Sequence, residues 1–237
     1  MNSVSALERP AGYERRWWIL AVLCLSLLVI GIDSTVLNVA LPTLVRSLNA
    51  TNSQLQWIVD AYVLVFASLL LTTGSLSDRF GRRSALAWGL VIFGAGSVAS
   101  AFAGTPNVLT ATRALMGVGG ALIMPSTLSI LTNVFPAGER ARAIGVWAGV
   151  SGLGIAFGPV VGGTLLDHLW WGSVFLVNVP VVVTALLAGY LIVPNTRDPS
   201  VPRVDAPGAA LSVVGLVSLV YGIIEVPSYG WTSGRIL

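Results

Sequence analysis

The sequence predicts an all-α polytopic membrane protein, a six-helix bundle followed by a seventh transmembrane helix. Three observations predict it. Of the 237 residues, 55% are hydrophobic and only 10% charged, with a mean hydropathy of +0.84, whereas soluble chains carry about 25% charged residues. The apolar residues gather into runs of about 20 or more, the length that crosses a hydrocarbon core about 30 Å thick. Barrel-type alternation never persists over a strand of about ten residues, which leaves helices as the spanning element. Together these exclude a water-soluble enzyme, a disulfide scaffold and a disordered tail.

Taken in order, residues 1–16 form a tail carrying Arg9, Arg15 and Arg16, and spans follow at 17–45, 54–76, 85–104, 107–133, 141–166 and 173–193. The first and fourth are longer than the bilayer requires and should tilt or protrude. Residues 194–206 are polar and hold three prolines, as a linker does. The seventh span, 207–227, opens the final segment 207–237. All 13 basic residues are arginines, and ten of them fall in the tail and the even-to-odd loops (Arg9, Arg15, Arg16, Arg79, Arg82, Arg83, Arg140, Arg142, Arg197, Arg203). The positive-inside rule then puts the amino terminus in the cytoplasm of a multi-pass protein of the inner or plasma membrane. The eight tryptophans cluster near span ends, as membrane anchors do. The net charge of +3 follows from these topogenic arginines, so no nucleic-acid partner is expected. Cys24 is the single cysteine, which excludes a disulfide within the chain.

Charges inside spans are the first functional candidates, because each costs at least about 2.5 kcal/mol at the bilayer centre. Asp33 lies roughly 24 Å up the first span, and Asp60 and Arg113 each roughly 9 Å down from the opposite face, at about 1.5 Å per residue. All three fall in the same third of the bilayer and are predicted to surround one cavity; a structural ion pair is the plainer alternative. Glu225, near the end of the last span, reads as interfacial. His168 reads as an ordinary interfacial side chain. No cluster of residues has metal-ligand spacing, and no glycine-rich run ends in Gly-Lys-Ser/Thr, so neither a metal nor ATP is expected.

Residues 74–83 read Gly-Ser-Leu-Ser-Asp-Arg-Phe-Gly-Arg-Arg. Gly74 and Gly81 permit a tight turn and close helix approach, and Asp78 can pair with Arg79 or Arg82. This segment is similar to the signature between helices two and three of the major facilitator superfamily. Leu109–Gly119 resembles that family's helix-four pattern, with Arg113 in the arginine position. Residues 149–163, with Gly149, Gly154, Gly158, Pro159, Gly162 and Gly163, resemble its helix-five antiporter motif. From the residues alone, the small-xxx-small spacing from Gly145 to Gly162 predicts tight helix packing, and Pro159 a bend. Gly31–Pro42 and Trp171–Pro180 resemble signatures of the family's 14-helix drug:proton antiporter branch.

The resemblance implies proton-driven efflux of hydrophobic, often cationic drugs or biocides, powered by the proton gradient without a cofactor. Burial and a neighbouring guanidinium act in opposite senses on a carboxylate's hold on its proton. Asp33 is therefore expected to be the proton/substrate switch, Asp60 a second acidic contact and Arg113 the tuner. The resemblance also makes Gly74, Asp78, Arg79, Gly81, Arg82 and Arg83 a cytoplasmic gate that latches onto the other half of the transporter. The match corresponds to an amino-terminal half plus one extra helix, so the chain is expected to be a fragment. Its expected partners are the lipid bilayer, protons, hydrophobic cations, and the missing carboxy-terminal half or a second copy. A facilitator dedicated to one metabolite or antibiotic, and a truncated non-transporting membrane protein, are the alternative readings.

Overall fold

A computed structural model describes residues 11–196 and 206–229, and among them every regular element is helical. A 3-10 turn at Tyr13–Arg15 leads into α1 (Arg16–Leu48). There follow α2 (Asn52–Phe80), α3 (Arg82–Ala101), α4 (Pro106–Val134), α5 (Ala137–His168), α6 (Ser173–Leu176), α7 (Asn178–Ile192) and α8 (Ala206–Tyr229). Six spans are long and apolar enough to cross a membrane, with α6 and α7 together forming the sixth, and α8 contains a shorter apolar stretch, Ala210–Glu225. Pro180 has no N–H for the Leu176 carbonyl, which accounts for the interruption at Val177. The tail to Pro10, the linker from 197 to 205, and residues 230–237 with Trp231 and Arg235 lie outside the described residues.

The helices extend beyond the apolar runs because their ends are capped in sequence. Thr51 and Gln54 form a reciprocal capping box at the start of α2. Thr105 accepts from the Val108 amide ahead of α4, with Pro106 in the first turn. Helix α1 ends on Asn49 at φ 51°, a left-handed position that asparagine tolerates.

Helices pair chiefly as α1 with α5, α2 with α4, and α3 with α4. Lipid is as apolar as leucine, so close backbone approach and interhelical hydrogen bonds hold such pairs rather than a hydrophobic drive. Helix α5 illustrates this, because three of its four buried residues are Gly154, Gly158 and Gly162. Two carbonyls freed by prolines are also compensated across these pairs. Pro125 frees the Ala121 carbonyl of α4, which accepts from Thr73 Oγ1 of α2 at 2.6 Å. Pro159 frees the Ile155 carbonyl of α5, which accepts from Thr35 Oγ1 of α1 at 3.0 Å. Freed helix carbonyls at membrane depth are re-satisfied in this way by neighbouring hydroxyls.

Candidate functional site

Six helices converge on one buried acid–base pair, α6 and α7 belonging to one span. Arg113 Nη1 of α4 donates to Asp33 Oδ2 of α1 at 2.6 Å, and the two residues are 1% and 0% exposed. The Asn178 amide of α7 donates to Asp33 Oδ1 at 3.1 Å and lies 3.0 Å from Ser97 Oγ of α3. Arg113 Nε reaches the Ile58 carbonyl of α2 at 3.4 Å. The guanidinium lies 4.4 Å from the centre of the Tyr62 ring and 6.0 Å from that of Phe175. Both charges are therefore paired, and the guanidinium has an aromatic face as a further partner in a buried site.

Two features differ from the sequence reading. The pair is enclosed by side chains of the described residues rather than exposed at a cavity surface. Asp60 does not join it, and instead lines a shallow groove of about 320 Å3 with Gln56, Val63 and Leu64 of α2 and Val220, Ile223 and Ile224 of α8. The cause is helix phase. Ile58 and Tyr62 are four residues apart and share the face of α2 that meets Arg113, whereas Asp60, two residues from each, is turned by roughly 200° at 3.6 residues per turn. Depth alone brought Asp60 to the pair; rotation takes it away. The same phase argument, applied to position 62, would have found Tyr62. Asn178 and Ser97 were missed because neither is charged, although Asn178 lies within the 171–180 segment already singled out.

At the other end of the bundle, α2 and α3 are separated by Gly81 alone, at φ +112°, where a side chain would be strained. Asp78 pairs with Arg82, not Arg79, at 2.6 Å, and also accepts from Ser129 Oγ of α4 at 2.6 Å. Arg79 lies over the Phe80 ring. Arg83 Nη1 reaches the Tyr190 and Val193 carbonyls at the end of α7, at 3.5 and 3.4 Å. Gly74 faces Pro125, with room for ordinary van der Waals contact.

On α5 the glycines divide by phase. A Cβ on Gly154 would come within 2.9 Å of the Leu28 carbonyl, and one on Gly162 within 3.0 Å of the Val36 side chain. A Cβ on Gly158 would collide with Thr35 Oγ1. Gly145, Gly149 and Gly163 have open space, contrary to the continuous packing stripe expected from Gly145 to Gly162. The five-residue step from Gly149 to Gly154 turns the helix face by roughly 140°, against roughly 40° for each four-residue step that follows. The fourth intramembrane charge, Glu225, is also partnered: Oε1 accepts from Ser53 Oγ at 2.8 Å and from Trp57 Nε1 at 3.1 Å, fastening α8 to α2.

A sealed acid–base pair within membrane-length helices, together with a charged one-residue turn between two of them, defines a multi-pass helical membrane protein. The chain belongs to the Major Facilitator Superfamily, whose family model matches residues 23–233. It is similar to the multidrug efflux pump LfrA of Mycolicibacterium smegmatis, with 44% identity over 210 residues, 88% of this chain and 42% of that protein. It is similar also to the methyl viologen resistance protein SmvA of Salmonella typhimurium, at 40% identity over 87% of this chain and 42% of the relative. The tetracenomycin C resistance and export protein of Streptomyces glaucescens matches at 37% over 94% and 42%. The chain thus spans less than half the length of these relatives. The solved structure of the peptide transporter POT in complex with sulfate shares its fold, with a TM-score of 0.65, 19% identity, and coverage of 96% of this chain and 48% of that one.

Proposed function

We propose that this chain forms the amino-terminal bundle of a proton-coupled exporter of hydrophobic, cationic drugs or biocides, with Asp33 as the proton-exchanging group and Arg113 as its tuner. The observation that carries the proposal is the sealed Asp33–Arg113 pair, 2.6 Å apart and shared by α1 and α4. An ionisable pair inside a membrane is costly, and replacing such a pair with apolar side chains is often neutral or stabilising. Its presence therefore suits a task better than it suits stability. The relatives named for multidrug efflux and methyl viologen, a dication, support the substrate class.

In this mechanism the structure is the paired, water-excluded state. Opening the bundle against a facing half separates Asp33 from Arg113 and lets the carboxylate take a proton. A cation entering from the other side favours the ionised carboxylate and expels that proton. Alternating access of this kind needs a second bundle around a midplane site, supplied by a carboxy-terminal half or a second copy. The amino terminus is cytoplasmic, and the Asp78–Arg82 and Arg83 contacts form the gate at that face. Asp60, outside the pair, serves as a separate acidic contact for the cation in the α2–α8 groove.

The test is proton-coupled efflux of methyl viologen and an unrelated lipophilic cation in the complete transporter assembled from this bundle. Asp33→Asn is expected to abolish proton release on substrate addition. Retained coupling in that variant would overturn the assignment. The relatives named for tetracenomycin C, puromycin and methylenomycin A support a second reading, an exporter dedicated to one compound. Competition among diverse cations favours the first reading, and a single winning compound the second.

A further inference from the structure

On the outer surface of the bundle, α3 and α7 leave a groove of about 480 Å3. Its walls are apolar along Ala87, Val91 and Leu187, and Arg83 closes one end. Trp88 and Tyr190, both lining it, are 65% and 73% exposed. Exposed tryptophan and tyrosine beside an arginine at a helix end are the side chains that meet lipid headgroups.

The dimensions limit what fits. From Arg83 to Val91 the groove runs about 12 Å at 1.5 Å per residue, so its mean cross-section is about 40 Å2. Extended acyl chains are slim enough to lie along it. The charge limits it further. The Arg83 guanidinium lies 5.4 Å from the centre of the Tyr190 ring, and only its Nη1 donates to protein, through two long contacts with the α7 carbonyls. Its Nε and Nη2 have no protein partner among the described residues. A cationic drug would be repelled at that end, and an anionic headgroup would be held.

We propose that this groove is a binding site for an anionic phospholipid, with the phosphate at Arg83 and the acyl chains along α3 and α7 beside Trp88 and Leu187. The groove lies away from the Asp33–Arg113 pair, but Arg83 also belongs to the proposed gate, so the test reads lipid binding and not transport. Basic pockets between transmembrane helices are suited to such headgroups, one arginine near an anionic surface contributing about 1 kcal/mol, or roughly fivefold in affinity.

The test is native mass spectrometry of the purified chain titrated with palmitoyl-oleoyl phosphatidylglycerol or with phosphatidylcholine carrying the same chains. Phosphatidylglycerol is expected to bind about fivefold more tightly. Arg83→Gln should remove that preference and Arg83→Lys should keep most of it. Ala87→Trp, which fills the groove without touching the charge, should weaken both lipids. Arg140→Gln serves as the control for diffuse attraction, since Arg140 lies on α5 and donates to the Phe135 carbonyl; it should change nothing. Equal binding of the two lipids overturns the proposal, as does a preference that survives Arg83→Gln or vanishes equally in Arg140→Gln. So does unchanged binding in Ala87→Trp, or a dimer that covers the groove and excludes lipid.

Discussion

Removing either member of the Asp33–Arg113 pair should destabilise the bundle severely, and removing both should not. Breaking a buried pair costs about 3–5 kcal/mol, because the surviving charge has no solvent. The surroundings rank the two single changes. In Asp33→Leu the guanidinium keeps the Ile58 carbonyl and lies 4.4 Å from the Tyr62 ring, and a desolvated cation–π contact is worth about 2 kcal/mol. The cost should then fall near 3 kcal/mol. In Arg113→Met the carboxylate keeps only the Asn178 amide, and the cost should approach 5 kcal/mol. The double variant Asp33→Leu/Arg113→Met leaves no orphaned charge. Its residual cost is the acceptor lost to Asn178, about 1 kcal/mol, because Asn178 still reaches Ser97 at 3.0 Å. The coupling energy is therefore well above 3 kcal/mol, far outside the scatter of independent sites. Equilibrium unfolding of the chain in mixed micelles, followed by circular dichroism, measures all four species. Single variants within 1 kcal/mol of the parent, or a double variant equal to the sum of its parts, would refute the reasoning.

Three further outcomes follow from the packing. Gly154→Leu should lower thermal stability by at least about 3 kcal/mol, the upper range for overpacking, because its Cβ meets the Leu28 carbonyl. Gly149→Leu, facing open space, should stay within about 0.5 kcal/mol in the same melt. Thr73→Val strips the donor from the Ala121 carbonyl and should cost about 1–2 kcal/mol, a loss that Pro125→Ala should recover in a double-variant melt by restoring the helical N–H. Glu225→Leu removes the acceptor shared by Ser53 and Trp57, so the distance distribution between spin labels on α2 and α8 should broaden while α1–α4 distances hold.

The fold class and the depth of each charge were legible because both depend on one-dimensional quantities, hydropathy and residue count. Asp33 and Arg113 met as their depths required. What depends on rotation about the helix axis was not legible by counting depth. Asp60 shares a depth with the pair and points elsewhere, and Gly149 carries a motif's glycine without its packing. The partners of Glu225 were hidden for another reason, since Ser53 and Trp57 lie 172 and 168 residues away. Asn178 is the instructive case. A neutral amide in an apolar run attracts no electrostatic suspicion, yet it is the side chain that joins α7 and α3 to the carboxylate.

Helix α1 links the two polar features of the bundle. Asp33 faces α4 and α7, while Thr35, two residues on, donates to the Ile155 carbonyl of α5 at 3.0 Å. The two sit about 3 Å apart along the axis on roughly opposite faces, within one hydrogen-bonded helical segment. Helix α5 meets α1 chiefly where Gly154, Gly158 and Gly162 bring its backbone directly onto that helix, with the Arg16–Glu139 ion pair and a Trp147–Thr127 hydrogen bond to α4 as further ties. Where these glycines meet the Leu28 and Ile32 carbonyls, α5 offers no side chain of its own to absorb a shift by changing rotamer. Any rotation or translation of α1 that parts Asp33 from Arg113 must therefore carry α5 with it or break the Thr35 bond that compensates Pro159. The acid–base pair and the glycine seam are thus one mechanical unit, with α1 as the shaft between them.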